Sequence, residues 1–142
     1  MREQIKLFCT YLCRQDEIYA VIAKKHSISF HTLITLYALD QDEGSTQSKI
    51  SKTWLIPKQT LNTVIKDLQS KQYVKLETGR NQKEKVVYFT QIGKEFAKKI
   101  LSNVYALEDK AIEKIGKERF LQMVQVNKDF TDALAKEVYN DT

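Results

Sequence analysis

The chain has 142 residues, of which 42% are hydrophobic, with a single proline and four glycines. That is enough apolar material for a packed core, which excludes a disordered chain, and too few turn formers for an all-β fold, so long helices are expected. The formal net charge of +5 favours a polyanionic partner, while no run approaches the ~18 apolar residues of a membrane span and no signal peptide opens the sequence. Cys9 and Cys13, four apart on an expected helix, are not readily placed for a disulfide, so a reduced cytoplasmic setting is expected.

In chain order, Ile5, Phe8, Leu12, Tyr19 and Ile22 recur at three- and four-residue steps and predict a first helix from about residue 3 to 25. Ser29 is placed to cap a second helix with Phe30, Leu33, Ile34, Tyr37 and Ala38 on one side, ending in the polar stretch from Asp40 to Gly44. Ser45 or Thr46 then caps a short helix that buries Ile50 and brings in Trp54. Ile56 precedes a proline and is pushed toward extended geometry, and Pro57 suits the start of the helix from Lys58 to Lys71. Tyr73 to Leu76 and Val86 to Phe89 read as strands around a polar loop in which Gly79 and Asn81 supply the turn. Thr90 caps a long helix to about Ile115, Gly116 breaks it, and a last helix from about Lys117 carries Phe120, Val124, Phe130, Leu134 and Val138.

A short helix, a tight turn, a second helix and a hairpin together make a winged helix-turn-helix. The fold expected is therefore mostly α with a small β-hairpin wing, a winged helix-turn-helix module at residues 29–92 and a helical dimerisation region at residues 1–28 and 93–142. Charge is segregated in the same way. Residues 46–99 hold twelve basic and four acidic residues, a net of +8, and the rest of the chain nets −3.

On a wheel of about 100° per residue, Val64, Ile65 and Leu68 fall within about 60° of Leu61 and form the buried stripe of the second motif helix. The opposite face collects Gln59, Asn62, Thr63, Lys66 and Ser70. Amides pair bidentately with adenine, hydroxyl and methyl groups meet base edges or the thymine methyl, and a lysine takes a phosphate or a guanine. A solvated helix face has a similar composition; the adjoining hairpin and the charge segregation favour reading of double-stranded DNA. The base-reading candidates are Gln59, Thr60, Asn62, Thr63 and Lys66, and the backbone and wing candidates are Lys52, Lys58, Arg80, Lys83 and Lys85.

The segment resembles the MarR family of bacterial transcriptional regulators. The resemblance rests on Ser48 to Ile50 in the first motif helix, Gln59-Thr60 through Leu68 in the second, Lys71-Gln-Tyr-Val74 entering the hairpin, and Phe89-Thr-Gln-Ile-Gly93 leaving it. It implies a homodimeric regulator, more often a repressor, whose two reading helices address a pseudo-palindromic operator about one helical turn apart. Two positions depart from the family pattern. Gln72 stands where glycine is common, and Asn81-Gln-Lys83 stands where the wing usually carries Asp-x-Arg, so the wing lacks the rigid fork of an arginine.

Dimerisation also follows from area. A 23-residue helix is roughly 35 Å long, and a winged module of about 60 residues cannot cover the stripes of three such helices, so some of that surface must pack between the terminal helices and against a second copy. For effectors, the resemblance implies release by a small ligand or an oxidant. Tyr11, Tyr19, Phe30 and Tyr37 are the candidates for an aromatic-lined effector pocket. Cys9 and Cys13 are candidate redox thiols, with Lys6 and Arg14 near them in sequence but Asp16 and Glu17 as well. His26 and His31 have no metal-ligand spacing, so no metal and no cofactor is expected. The sequence offers no nucleophile elbow, phosphate-cradling glycine loop or His-Glu-x-x-His stretch, so an enzyme is not expected. The alternative reading is a winged-helix protein-interaction module that does not read DNA.

Overall fold

In the computed structural model, which describes residues 1–79 and 83–140, α1 runs from Arg2 to Lys25. It is followed by α2 (Phe30–Gln41), β1 (Ser45–Thr46), α3 (Gln47–Trp54), α4 (Lys58–Ser70), β2 (Val74–Thr78), β3 (Lys85–Phe89), α5 (Gln91–Ile115) and α6 (Lys117–Tyr139). The expected helices and both expected strands are present within a few residues of their expected ends. No helix among the described residues is long and apolar enough to cross a membrane.

The helix starts follow from capping chemistry. Ser29 Oγ accepts the Thr32 N–H at 3.0 Å to open α2, and Thr46 Oγ1 accepts the Lys49 N–H at 3.1 Å to open α3. Each satisfies one of the otherwise unpaired donors of a first turn, and each hydroxyl is worth about 1 kcal/mol to its helix. Of the two capping candidates at the third helix, Thr46 caps and Ser45 does not, and the two together form a short strand. That strand was not foreseen. β1 pairs with β3 (Ser45 opposite Val87, Thr46 opposite Val86), turning the β2–β3 hairpin into a three-stranded antiparallel sheet of order β1-β3-β2. Two residues are too few to show a period, so nothing in the local pattern distinguishes them from a loop.

The chain forms two compact units, Met1–Ser102 and Asn103–Thr142. The first holds the core: Leu33, Leu36 and Leu39 of α2, Ile50 of α3, Leu61, Ile65 and Leu68 of α4, and Val87 of β3 are all buried. Burying each such side chain contributes roughly 1.5–3 kcal/mol. In the second unit, Val104 is the only buried residue among those described, and α6 buries none.

The passage from sheet to α5 explains the Thr-x-x-Gly motif. Thr90 Oγ1 donates to the Gln72 carbonyl at 2.6 Å and accepts the Gly93 N–H at 3.0 Å, while the Thr90 N–H bonds the Tyr73 carbonyl at 3.0 Å. A Cβ on Gly93 would lie 1.8 Å from the Tyr73 carbonyl oxygen, so only glycine fits. Tyr73 and Phe96 stack above this junction with ring centroids 4.1 Å apart, holding the base of the wing against α5.

Candidate nucleic-acid interface

The turn between α3 and α4 is built by local bonds. Leu55 ends α3 in the left-handed region at φ 51°, Ser51 Oγ donates to the Ile56 carbonyl at 2.6 Å, and the Ile56 N–H returns to the Ser51 carbonyl at 3.2 Å. Ile56 is buried, and Pro57 after it stands just outside α4 as its cap residue at φ −54°. This staple sets the angle at which α4 leaves the turn. Leu61, Val64, Ile65 and Leu68 then face inward.

Gln59, Asn62, Thr63, Lys66 and Ser70 are all exposed on the opposite side, and Thr60 is half-buried at its edge. Thr63 Oγ1 donates back to the Gln59 carbonyl at 3.1 Å and keeps its capacity to accept. Asp67, the acid on this helix, is tied at 3.1 Å to Lys71 one turn on, which offsets its charge beside the exposed face.

The cations sort into two groups. Lys49 pairs with Asp42, whose carboxyl is held below its usual range chiefly by the hydrogen bond from Lys49 and then by that with Ser45. Lys94 pairs with Glu43 at 3.5 Å. These pairs use the acidic α2–β1 connection to neutralise lysines outside the exposed face of α4. Lys52, Lys58, Lys66 and Lys85, by contrast, are exposed and have no ion-pair partner among the described residues. All four are in the set read from the sequence. Lys83 is exposed beside the hairpin, while Arg80 lies outside the described residues. The sequence reading missed a bond at the wing: Ser48 Oγ on α3 donates to Glu84 Oε1 at 2.6 Å, fastening the outer end of the hairpin to the first motif helix. A pair 36 residues apart leaves no local signal.

A cavity of about 530 Å³ lies between α1, α2 and the α3–α4 turn. Tyr19, Phe30 and Tyr37 line it as the sequence suggested, but Tyr11 does not and is exposed. Asp16, His31 and Trp54 complete the ring, with Trp54 packed edge-to-face on Tyr37 at 5.6 Å and 65°. These came from three separate elements and shared no spacing that could have joined them. Cys9 and Cys13 are both exposed on α1, and no group of three or more metal-ligating side chains is found among the described residues.

Comparison with known proteins places this geometry. Residues 26–83 match the model of the MarR family. A MarR family regulator from Neisseria meningitidis superposes with a TM-score of 0.84 at 18% identity, over 98% of this chain and 99% of its own. Staphylococcus aureus MarR, in complex with salicylate and kanamycin, superposes with a TM-score of 0.74 at 21% identity, over 96% of this chain and 93% of its own. A MarR transcriptional regulator from Methanosarcina mazei gives 0.70 at 20% identity, over 94% and 92%. No curated protein sequence matches the chain.

Proposed function

We infer that this chain, which carries a MarR-family winged helix-turn-helix, is a homodimeric, sequence-specific DNA-binding regulator acting as a repressor. The observation that carries this reading is the outward face of α4, which presents Gln59, Asn62, Thr63 and Lys66 with no apolar side chain among them. A protein-docking surface would expose apolar groups there, and this disfavours the interaction-module alternative. Residues 29–92 do the reading and residues 1–28 and 93–142 dimerise. The support for the dimer is apolar surface. On α1, Ile5, Leu7, Phe8, Tyr11 and Leu12 are exposed; on α6, so are Leu121, Val124, Phe130, Leu134 and Val138. A second copy covering these stripes sets two α4 helices on one duplex, in successive major grooves of a pseudo-palindrome.

In this reading, Asn62 and Gln59 pair with base edges, Thr60 and Thr63 make hydroxyl and methyl contacts, and Lys66 takes a phosphate or a guanine. Lys52, Lys58, Lys83, Lys85 and Arg80 neutralise backbone phosphates. The cavity beside the α3–α4 turn is the effector site, a role supported by its aromatic lining; that a fold neighbour from Staphylococcus aureus takes small molecules supports an effector of that class. Oxidation of Cys9 or Cys13 is the second route to release, supported by the exposure of both thiols.

The test is recovery of bound DNA from a random pool at varied salt. The expected result is enrichment of an inverted repeat whose affinity falls roughly tenfold or more over a few-fold rise in salt concentration. A near-zero salt slope would sink the DNA reading. For the thiols, identical DNA binding by wild type and a Cys9→Ser/Cys13→Ser variant after peroxide eliminates redox release.

A further inference from the structure

We propose that the cavity between α1, α2 and the α3–α4 turn takes an aromatic organic cation, and that its seat is mechanically part of the turn that aims α4. The proposal rests on the effector-site reading above and adds the charge of the ligand and the route of coupling. Tyr19, Phe30, Tyr37 and Trp54 give the cavity four aromatic walls, and Asp16 is the only carboxylate among its lining residues. No lysine or arginine lines it. The faces of aromatic rings carry negative potential, so a cation seated among them is attracted by the rings and by the carboxylate together. A ligand carboxylate would meet the same rings and Asp16, with the His31 imidazole as the one lining base to answer it. Asp16 has no ion-pair partner among the described residues, so its charge is available to a ligand without breaking a bond. Tyr37 and Trp54 pack edge-to-face on each other, and their ring faces, set at a steep angle, are surfaces on which an ammonium or amidinium group is attracted. The volume of about 530 Å³ suits a ligand larger than one ring.

The coupling lies in the chain path. Trp54 is the last residue of α3, and Leu55 and Ile56, which also line the cavity, form the turn itself. Leu55 is 87% exposed and held at positive φ, a conformation a leucine adopts only under constraint from its neighbours. A ligand packed on Trp54 bears directly on this staple, one residue before Pro57 and α4. Differential affinity for the two turn geometries is all that linkage requires to change DNA affinity.

Trp54 is the only tryptophan in the chain and lines this cavity, so its fluorescence responds to a ligand seated there. The full chain is titrated with benzyltrimethylammonium, with neutral N-benzylacetamide and with phenylacetate. The cation is expected to bind at least about tenfold more tightly than the anion. In Asp16→Asn that preference shrinks several-fold, with the neutral amide unaffected, and because Asp16 is an exposed helix residue the variant folds. In Tyr37→Leu, which keeps the wall apolar, affinity falls for the cation more than for the amide. Phenylacetate binding as tightly as the cation, or an Asp16→Asn preference equal to wild type, overturns the charge assignment while leaving the effector site standing. If none of the three probes perturbs Trp54, the effector site falls as well. A cation that quenches Trp54 yet leaves the affinity for selected DNA unchanged overturns the coupling through the turn.

Discussion

Helices α4 and α6 carry the same kind of apolar stripe and meet different fates. In α4, Leu61, Val64, Ile65 and Leu68 are 1–8% exposed, covered by α2, α3 and β2 of the same chain. In α6, Leu121, Val124, Phe130, Leu134 and Val138 are 45–57% exposed. A 3.6-residue period says that one side of a helix belongs against something apolar; it does not say whether that something is in the same chain. The contrast divides the molecule into a part that folds around itself and a helix whose apolar stripe is left exposed.

The largest expected effect breaks the contrast at α6. Replacing Phe130 and Leu134 with aspartate is expected to yield a folded monomer by sedimentation, with helix content kept by circular dichroism. DNA affinity should fall roughly 100-fold or more, because two linked reading helices become one. A variant that stays dimeric would show that the α6 stripe serves some other purpose.

At α4 the prediction is of a different kind. Leu61→Ala is expected to cost about 2–5 kcal/mol in denaturant unfolding, from lost burial plus the cavity left behind. An effect below about 1 kcal/mol would mean that the α4 stripe is no better supported than that of α6.

The exposed side of α4 gives the third prediction. Asn62→Ala should cost about 1–3 kcal/mol at one or two base pairs and leave others untouched, whereas Lys83→Ala should weaken all sequences alike and lower the salt slope by about 1. An unchanged selected site for Asn62→Ala would move the reading face elsewhere.

The smallest effect concerns the end of α4. Gln72 sits at φ 63°, a left-handed conformation that costs a non-glycine residue about 1–2 kcal/mol. Gln72→Gly is therefore expected to raise the midpoint of thermal unfolding slightly, by a stability gain of about 1 kcal/mol. The position where relatives of the family pattern use glycine is thus one where this backbone asks for it, and the glutamine is retained at a cost.

Much of this was legible from the residues. Ser29 announced its helix, and Ser45 or Thr46 the next, because capping is a local exchange between a hydroxyl and an N–H three residues on; the structure chose Thr46. The α4 wheel separated Leu61, Val64, Ile65 and Leu68 from Gln59, Asn62, Thr63 and Lys66 because helical geometry alone sorts them. The Thr-x-x-Gly motif could be seen in the sequence, but its reason could not: Gly93 is required by a carbonyl twenty residues earlier, at Tyr73. Strand β1 escaped because two residues have no period and its partner lies some forty positions away. The cavity was half legible. Tyr19, Phe30 and Tyr37 stood out as aromatics, but Tyr11 lies elsewhere, and Asp16 and Trp54 joined only when α1 and α3 were brought against α2.

By itself, then, the sequence determined the helices, their caps, the polarity of each face and the concentration of positive charge on residues 46–99, since these depend on residues within a few positions of one another. Tertiary structure alone decided which lysines are paired off by Asp42 and Glu43, which aromatics share a cavity, and which apolar stripes are left uncovered. Those depend on what lies across space from each side chain, and a one-dimensional period carries no information about its partner.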